Sequence, residues 1–353
     1  MDTQILKKES IELLKQLVST PSFSGEEMET ASLIISYFGS KKIEISRSEN
    51  NVWVQNKYFN NLKPTILLNS HHDTVRPNEG YKRDPFDAQI LGGKLFGLGS
   101  NDAGASLVSL LALFMHFYER EDLKYNLIFS ATGEEESSGT NGLNSILQYL
   151  PELNFAVVGE PTGMQLAIAE KGLLVIDAYA PGIAGHAAHS NTNNAIYNAI
   201  QDIDWIRNYE FSEISELLGK VKMTVTQIDA GREHNVVPGT CHFTIDVRVT
   251  EKYSNREVFK YIDKHTISKL KARSFNLNSS SINPNHAIVK AGVELGRKTY
   301  GSPTLSDQSV LDCPSLKLGP GESTRSHQAD EFIKIEEINE AIDLYIKIFD
   351  KIL

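Results

Sequence analysis

Three short apolar runs constrain the fold of this chain more than any other feature: Thr65 to Asn69 (TILLN), Asn126 to Ser130 (NLIFS) and Phe155 to Val158 (FAVV). Each has the length of a strand and little polar alternation, so each reads as a strand covered on both faces. A helical pattern from about Ala103 to Tyr118 lies between the first two. Such alternation implies an α/β fold, with a mainly parallel sheet and helices on both faces. Helical spacing also marks Ile11–Val18 and Glu26–Phe38. Ser24 and Glu27 read as an S-x-x-E capping box opening the second of these.

The texture changes at Lys171. GLLVIDAYA, VKMTVTQIDA and CHFTIDVRVT are longer runs of near-alternating polarity, as in an antiparallel sheet wet on one face. Helical segments near Asn194–Arg207 and Asn255–Lys269 accompany them. The α/β texture returns with a helix around Ala287–Tyr300 and ends in a helix from Ile335. The expected organisation is a catalytic domain of residues 1–169 and 282–353, interrupted by an inserted α+β domain of residues 170–281.

Acidic residues outnumber basic ones 45 to 35, for a net charge of -10. That balance argues against nucleic acid and anionic membrane surfaces as main partners. The most apolar stretch, Ser106 to Tyr118, falls short of the about 20 residues that cross a bilayer. Cys241 and Cys313 are the only cysteines, which fits a reducing compartment. The charged N-terminus lacks the apolar centre of a signal peptide. A cytoplasmic-type soluble protein is the expectation.

Five motifs carry residues suited to chemistry. In Ser70-His71-His72-Asp73, strand alternation puts His71 and Asp73 on one side, so Asp73 can accept the second ring N–H of His71. His72 points the other way and reads as a packing or surface residue. In Gly97–Gly104, Asp102 falls at the start of a helix, where, taken alone, it or Asn101 reads more readily as an N-cap. Thr132–Gly139 sets Glu134, Glu135 and Glu136 side by side after a strand, where they repel unless cations or water neutralise them. A solvated loop is the plain alternative, but the C-terminal edge of a parallel sheet is where such folds bind ligands. Gly159-Glu160 follows the third buried run, and Ser326-His327 follows the strand-like Ser315–Leu318. Together they offer the mixed imidazole and carboxylate donors that two zinc ions take. One carboxylate would bridge, and another would accept a proton from water.

These ordered motifs resemble the zinc-dependent amidohydrolase and peptidase family that contains acetylornithine deacetylase, succinyl-diaminopimelate desuccinylase, aminoacylase and glutamate carboxypeptidase. The resemblance runs from Pro21 to Phe332. It implies two zinc ions per chain, with cobalt or manganese able to substitute. By motif, His71 would bind one ion, His327 the other, Asp102 would bridge them and Glu160 would complete the first site. The family's T-G-D-E-E falls on Thr132–Glu136, which makes Glu135 the general base and Glu136 a ligand of the second ion. A one-residue slip would give these roles to Glu134 and Glu135.

Gly182–His186 resembles the family's G-x-x-x-H, which implies that His186 donates to the oxyanion from a neighbouring subunit of a homodimer formed through the inserted domain. His189 reads as a structural or surface histidine. Asn235-Val236-Val237-Pro238 and Asp246-Val247-Arg248 match N-V-I-P and D-x-R segments, implying that Asn235 and Arg248 grip substrate. Lys171 stands where desuccinylases carry Arg, though a solvated strand-end lysine is an equal reading. Gly319–Ser323 followed by Ser326-His327 resembles the deacetylase branch acting on acetylornithine or acetylcitrulline, and Thr304–Asp307 resembles a segment lining the acyl pocket. The chain as a whole is similar to the Bacteroidetes-type acetylornithine deacetylases. The implied reaction is hydrolysis of an N-acyl amino acid, foremost N-acetylornithine in arginine biosynthesis. N-acetylcitrulline, N-succinyl amino acids and dipeptides are alternatives on the same scaffold. A catalytically inactive, metal-dependent binding protein is the alternative of another class.

Overall fold

Parallel strands covered on both faces need apolar side chains at nearly every position, and the three runs supply them. In the computed structural model, which describes residues 2–190 and 193–353, they form the strands Thr65–His71, Asn126–Thr132 and Leu153–Val158. Thr65–His71 pairs in parallel with both of the others. Ser315–Lys317 adds in parallel beside Leu153–Val158. Antiparallel strands flank this centre, Asn51–Gln55 next to Asn126–Thr132 and Leu166–Glu170 next to Ser315–Lys317. The fold is thus mixed α/β with a mainly parallel central sheet.

The helix Ala105–Phe117 is buried at every residue but His116. A helix apolar all round must be covered on all sides. Thr3–Val18 and Ile335–Asp350 pack against it. Both are amphipathic, burying Leu6, Leu13, Leu14 and Leu17 from one and Ile338, Ile342, Tyr345 and Phe349 from the other. Each such side chain contributes about 1.5–3 kcal/mol on leaving water. Among the described residues no helix is long and apolar enough to cross a membrane.

The chain divides into two compact units. Met1–Ile168, Ile282–Tyr300 and Ser306–Leu353 form the first; Ala169–Ser281 and Gly301–Leu305 form the second. The short piece Gly301–Leu305 falls in the second unit because it lies on the Leu217 carbonyl and takes the Lys171 N–H on Ser302. Within the second unit, antiparallel strands run in the order Lys222–Ala230, Thr240–Val249, Gly172–Pro181, Lys269–Ala272. Burial alternates along Gly172–Pro181, the period of a sheet with one packed face. Leu174, Ile176, Phe243 and Ile245 meet Val258 and Ile262 of the helix Asn255–His265 in its core.

Three local expectations need correction. The helix Ala287–Glu294 stops early, at a turn with Gly296 at φ +81°, and Tyr300 lies in the strand Thr299–Ser302. The helix from Asn255 ends at His265, and Lys269 begins a strand that pairs with Gly172–Pro181. Ser24 and Glu27 form no capping box. Ser24 donates to Asp73, and Glu27 accepts the Gly25 and Glu134 N–H groups and the Asn50 side chain. Tertiary partners have claimed both ends of that box.

Candidate metal centre

Four neighbouring parallel strands deliver the site. His71 is the last residue of Thr65–His71. Glu135 and Glu136 follow Asn126–Thr132, Glu160 follows Leu153–Val158, and His327 lies in the loop after Ser315–Lys317. Asp102 comes from the segment before Ala105–Phe117. Its backbone is not helical (φ -119°, ψ 99°), and neither Asn101 nor Asp102 caps the helix. All six side chains belong to the first unit.

The structure gathers them tightly. Nε2 of His71 lies 3.4 Å from Asp102 Oδ1, 3.9 Å from Glu160 Oε1 and 4.0 Å from Glu135 Oε2. Nε2 of His327 lies 3.0 Å from Glu136 Oε2 and 3.7 Å from Asp102 Oδ2. Asp102 therefore turns one oxygen to each histidine. Donor atoms of His71, Asp102 and Glu136 fall within 4.8 Å of one another, as do those of His71, Glu135 and Glu160. Glu134 points elsewhere: its carboxylate accepts from the Asn141 N–H and side-chain amide at 3.0 and 2.9 Å. The Gly139 and Gly142 spacing has a steric cause. A Cβ on Gly139 would meet Glu134 Cβ at 2.7 Å, and one on Gly142 the Gly133 carbonyl oxygen at 2.5 Å.

A family model for peptidase family M20/M25/M40 matches residues 67–351, which takes in every one of these side chains. The chain belongs to this family. Succinyl-diaminopimelate desuccinylase 2 of Ruegeria sp. (strain TM1040) is 23% identical, over 96% of this chain and 93% of that protein. Among solved structures, the M20 family metallo-carboxypeptidase Sso-CP2 from Sulfolobus solfataricus superposes with a TM-score of 0.76 at 18% identity, covering 99% of each chain. A dinuclear metal-binding M20 peptidase from Bacillus subtilis gives 0.72 at 16%, covering 98% of each. The protein is accordingly a hydrolase of the metal-dependent M20 type.

The donors fit divalent cations on the evidence of two orphaned atoms. His71 Nε2 and Glu160 Oε1 are buried and have no hydrogen-bond partner. A buried polar atom without a partner is costly, and a cation between them and Asp102 would satisfy both. The other ring nitrogen of His71 is held, with Nδ1 3.0 Å from the Asp73 carbonyl oxygen and 3.4 Å from its carboxylate. That fixes the ring with Nε2 facing the cluster. The Asp73 carboxylate also accepts the Glu135 and Glu136 N–H groups, each at 3.1 Å. Asp73 thereby braces His71 and the glutamate loop together. His72 is buried, with Nδ1 beside Thr30 Oγ1 and Nε2 beside the Asn50 carbonyl.

Crowded carboxylates shift the titration of the metal-free cluster. Burial, then the Asp102 charge, pushes Glu160 up to about 8. The hydrogen bond to Glu136 lifts His327 to about 9 against its partial burial. Both are thus protonated at pH 7, whereas a ligand must bind as carboxylate or neutral imidazole. Metal uptake at pH 7 should release protons, and apparent affinity should rise as pH climbs through about 8 to 9. Calorimetry in buffers of different ionisation enthalpy checks this; equal heats in all buffers would contradict it.

Two further buried acids have contacts that the sequence reading did not give: Glu331 was not singled out, and Asp307 was read only as part of a segment resembling an acyl-pocket lining. Glu331 is only 2% exposed and accepts three peptide N–H groups of the Asp102 loop, those of Gly99, Asn101 and Asp102. Its position just before the buried Ile333 was the available signal, since an acid entering a core must be partnered. Asp307 accepts from Asn69 Nδ2 at 2.7 Å and Thr132 Oγ1 at 2.9 Å, bracing the strands that end in the site.

The remaining candidates lie in the second unit. His186 and Val236 pair in a short ribbon, and the Asn235 carbonyl takes the Ala187 N–H, so His186 and Asn235 are neighbours. His186 is exposed. Arg248 binds Asp246 through two bonds of 2.8 and 3.0 Å, and Lys171 donates to the Lys220 carbonyl at 2.8 Å. Burial, then the nearby charges of Lys222 and Arg248, lowers the Lys171 pKa. Lys171, Lys222 and Arg248 therefore make a cationic group.

Proposed function

We propose that this protein is a two-metal N-acyl-amino-acid amidohydrolase. The observation that carries the proposal is Asp102, with one carboxylate oxygen toward each of two histidines. His71, Asp102 and Glu160 would hold one zinc ion and Asp102, Glu136 and His327 the other. Such a pair supplies Lewis-acid polarisation of the amide carbonyl and lowers the pKa of water at the site. Glu135, beside His71, Glu160 and Glu136, is the proposed base. It takes the proton of the attacking water and returns it to the leaving amine. Its carboxyl is pushed well above the ordinary range by burial, then by Glu160, against the opposing charge of His71. A metal pair would reverse that shift and leave it ionised.

His186 is the proposed donor to the oxyanion, contributed by a second subunit. The cationic group of Arg248 and Lys171 would bind a substrate carboxylate, which must compete with Asp246 for the guanidinium. Asn235 stands beside His186 at the opposite end of the strands Gly172–Pro181 and Thr240–Val249, so it would reach the substrate together with His186 from the second subunit. Dimerisation through the second unit is supported by exposed Ile228 on its outermost strand and exposed Tyr197 and Ile200 on the helix Ala195–Asn208. Light scattering should give a dimer, and Ile228→Lys with Tyr197→Lys should give monomers with lost turnover and retained metal. An active monomer would remove His186 from this role.

N-acetylornithine is the proposed substrate, with zinc as the ion and the cytoplasm as the setting. The desuccinylase relative favours a second reading, an N-succinyl amino acid such as N-succinyl-diaminopimelate. The deciding experiment follows amine release from N-acetyl and N-succinyl forms of ornithine, citrulline and diaminopimelate, with zinc or cobalt added. Release only from free dipeptides would reject both acyl readings.

A further inference from the structure

We infer that Glu331 is a positioning residue of the metal centre, its buried carboxylate fixing the peptide that carries Asp102 and so the aim of that side chain at both histidines. The inference rests on the metal-centre reading above. Oε1 of Glu331 accepts from the Asn101 and Asp102 N–H groups at 2.7 and 2.9 Å, and Oε2 accepts from Gly99 at 3.2 Å. These donors have few other outlets. The Asp102 backbone is extended, and the regular helix begins only at Ala105, so a buried loop holds N–H groups that no helical ladder takes up.

A carboxylate suits this place in a way no neutral side chain does. Burial, then the Asp102 charge, pushes Glu331 up to about 8 against its three N–H bonds. Once ionised it presents acceptors on both oxygens, matching donors that converge from two sides. An amide of the same shape would turn one acceptor into a donor facing a peptide N–H. The same segment also carries His327, four residues earlier, and the Glu331 carbonyl accepts the Gly97 N–H at 2.9 Å. Glu331 thereby ties the loop of the shared carboxylate to the segment of the more exposed histidine. Asn101 adds a second tie, exchanging bonds with the Glu322 backbone at 3.0 and 3.1 Å.

The test compares cobalt binding by the full-length wild-type protein, Glu331→Gln and Glu331→Ala, using chelator competition and the visible absorption of bound Co²⁺. Wild type should take up two ions. Affinity should fall about 10-fold in Glu331→Gln and about 100-fold in Glu331→Ala, the range for partners that orient metal ligands. The cobalt spectrum should change in both. A purely structural role would lower the melting temperature of the metal-free and loaded proteins alike, with affinity and spectrum as in wild type; that result overturns the proposal. Failure of both variants to fold would also overturn it, by assigning Glu331 to the fold. A wild-type protein that binds no cobalt would instead sink the metal-centre reading on which this stands.

Discussion

Replacing Glu135 by Gln is expected to lower kcat by about 10²- to 10⁴-fold, the usual contribution of a general base, with both metal ions still bound. The change is nearly isosteric, and the loop stays in place because its hold is elsewhere. Asp73 grips the Glu135 and Glu136 N–H groups, and Glu27 grips that of Glu134. KM should move far less than kcat, since the lost proton transfer belongs to the transition state. Glu134→Gln is the matched control. Its carboxylate serves Asn141 and not the cluster, so turnover should stay within about 3-fold of wild type, less than the loss expected for a general base. A fully active Glu135→Gln with an inactive Glu134→Gln would shift the base by one residue. Equal loss of activity and metal in Glu135→Gln would make it a ligand instead.

Asp102→Ala should be the more damaging substitution, because it strips a donor from both ends of the cluster at once. Metal affinity should drop by more than about 100-fold, beyond the range for outer partners, and dialysed protein should retain neither ion. Loss of the carboxylate also leaves His71 Nε2 buried without its nearest acid. Metal content by elemental analysis is the direct measurement. A thermal check is independent of activity: ligand at 100 times its Kd stabilises a folded protein by about 2.7 kcal/mol, and this gain should vanish in the variant. An Asp102→Ala protein that keeps two ions would refute the shared-carboxylate arrangement.

How far the sequence disclosed this site depended on the range of the interactions involved. The strand ends were legible because TILLN, NLIFS and FAVV announce their own burial, and the polar residues directly after them had to emerge at one edge of the sheet. His71, Glu135, Glu136 and Glu160 were found that way. Of the residues that brace them, Asp73 was found as well, two positions from His71, but the distant ones were not. Glu331 reaches Asp102 from 229 positions along the chain, and Asp307 reaches Asn69 from 238. No local window contains such pairs. Ser24 and Glu27 show the converse. Their spacing spells a helix cap, and the same pattern at Ser254 and Glu257 does form one, with both reciprocal bonds. At Ser24 the competing partners are the buried acid Asp73 and the peptides of the glutamate loop, and those contacts won. The strand at Thr299–Ser302 was missed because the helix was carried past Gly296, the local stop signal at which it ends.

The two histidines differ sharply in contact with solvent. The His71 side chain is 1% exposed and that of His327 is 54% exposed. An ion at the His327 end would meet chelators, competing metals and incoming substrate directly, whereas one at the His71 end would leave only after its neighbour or after a local opening of the fold. Loading and loss would then run in a fixed order. Protein purified without added metal would be a half-filled population, and its activity would report the history of the outer position.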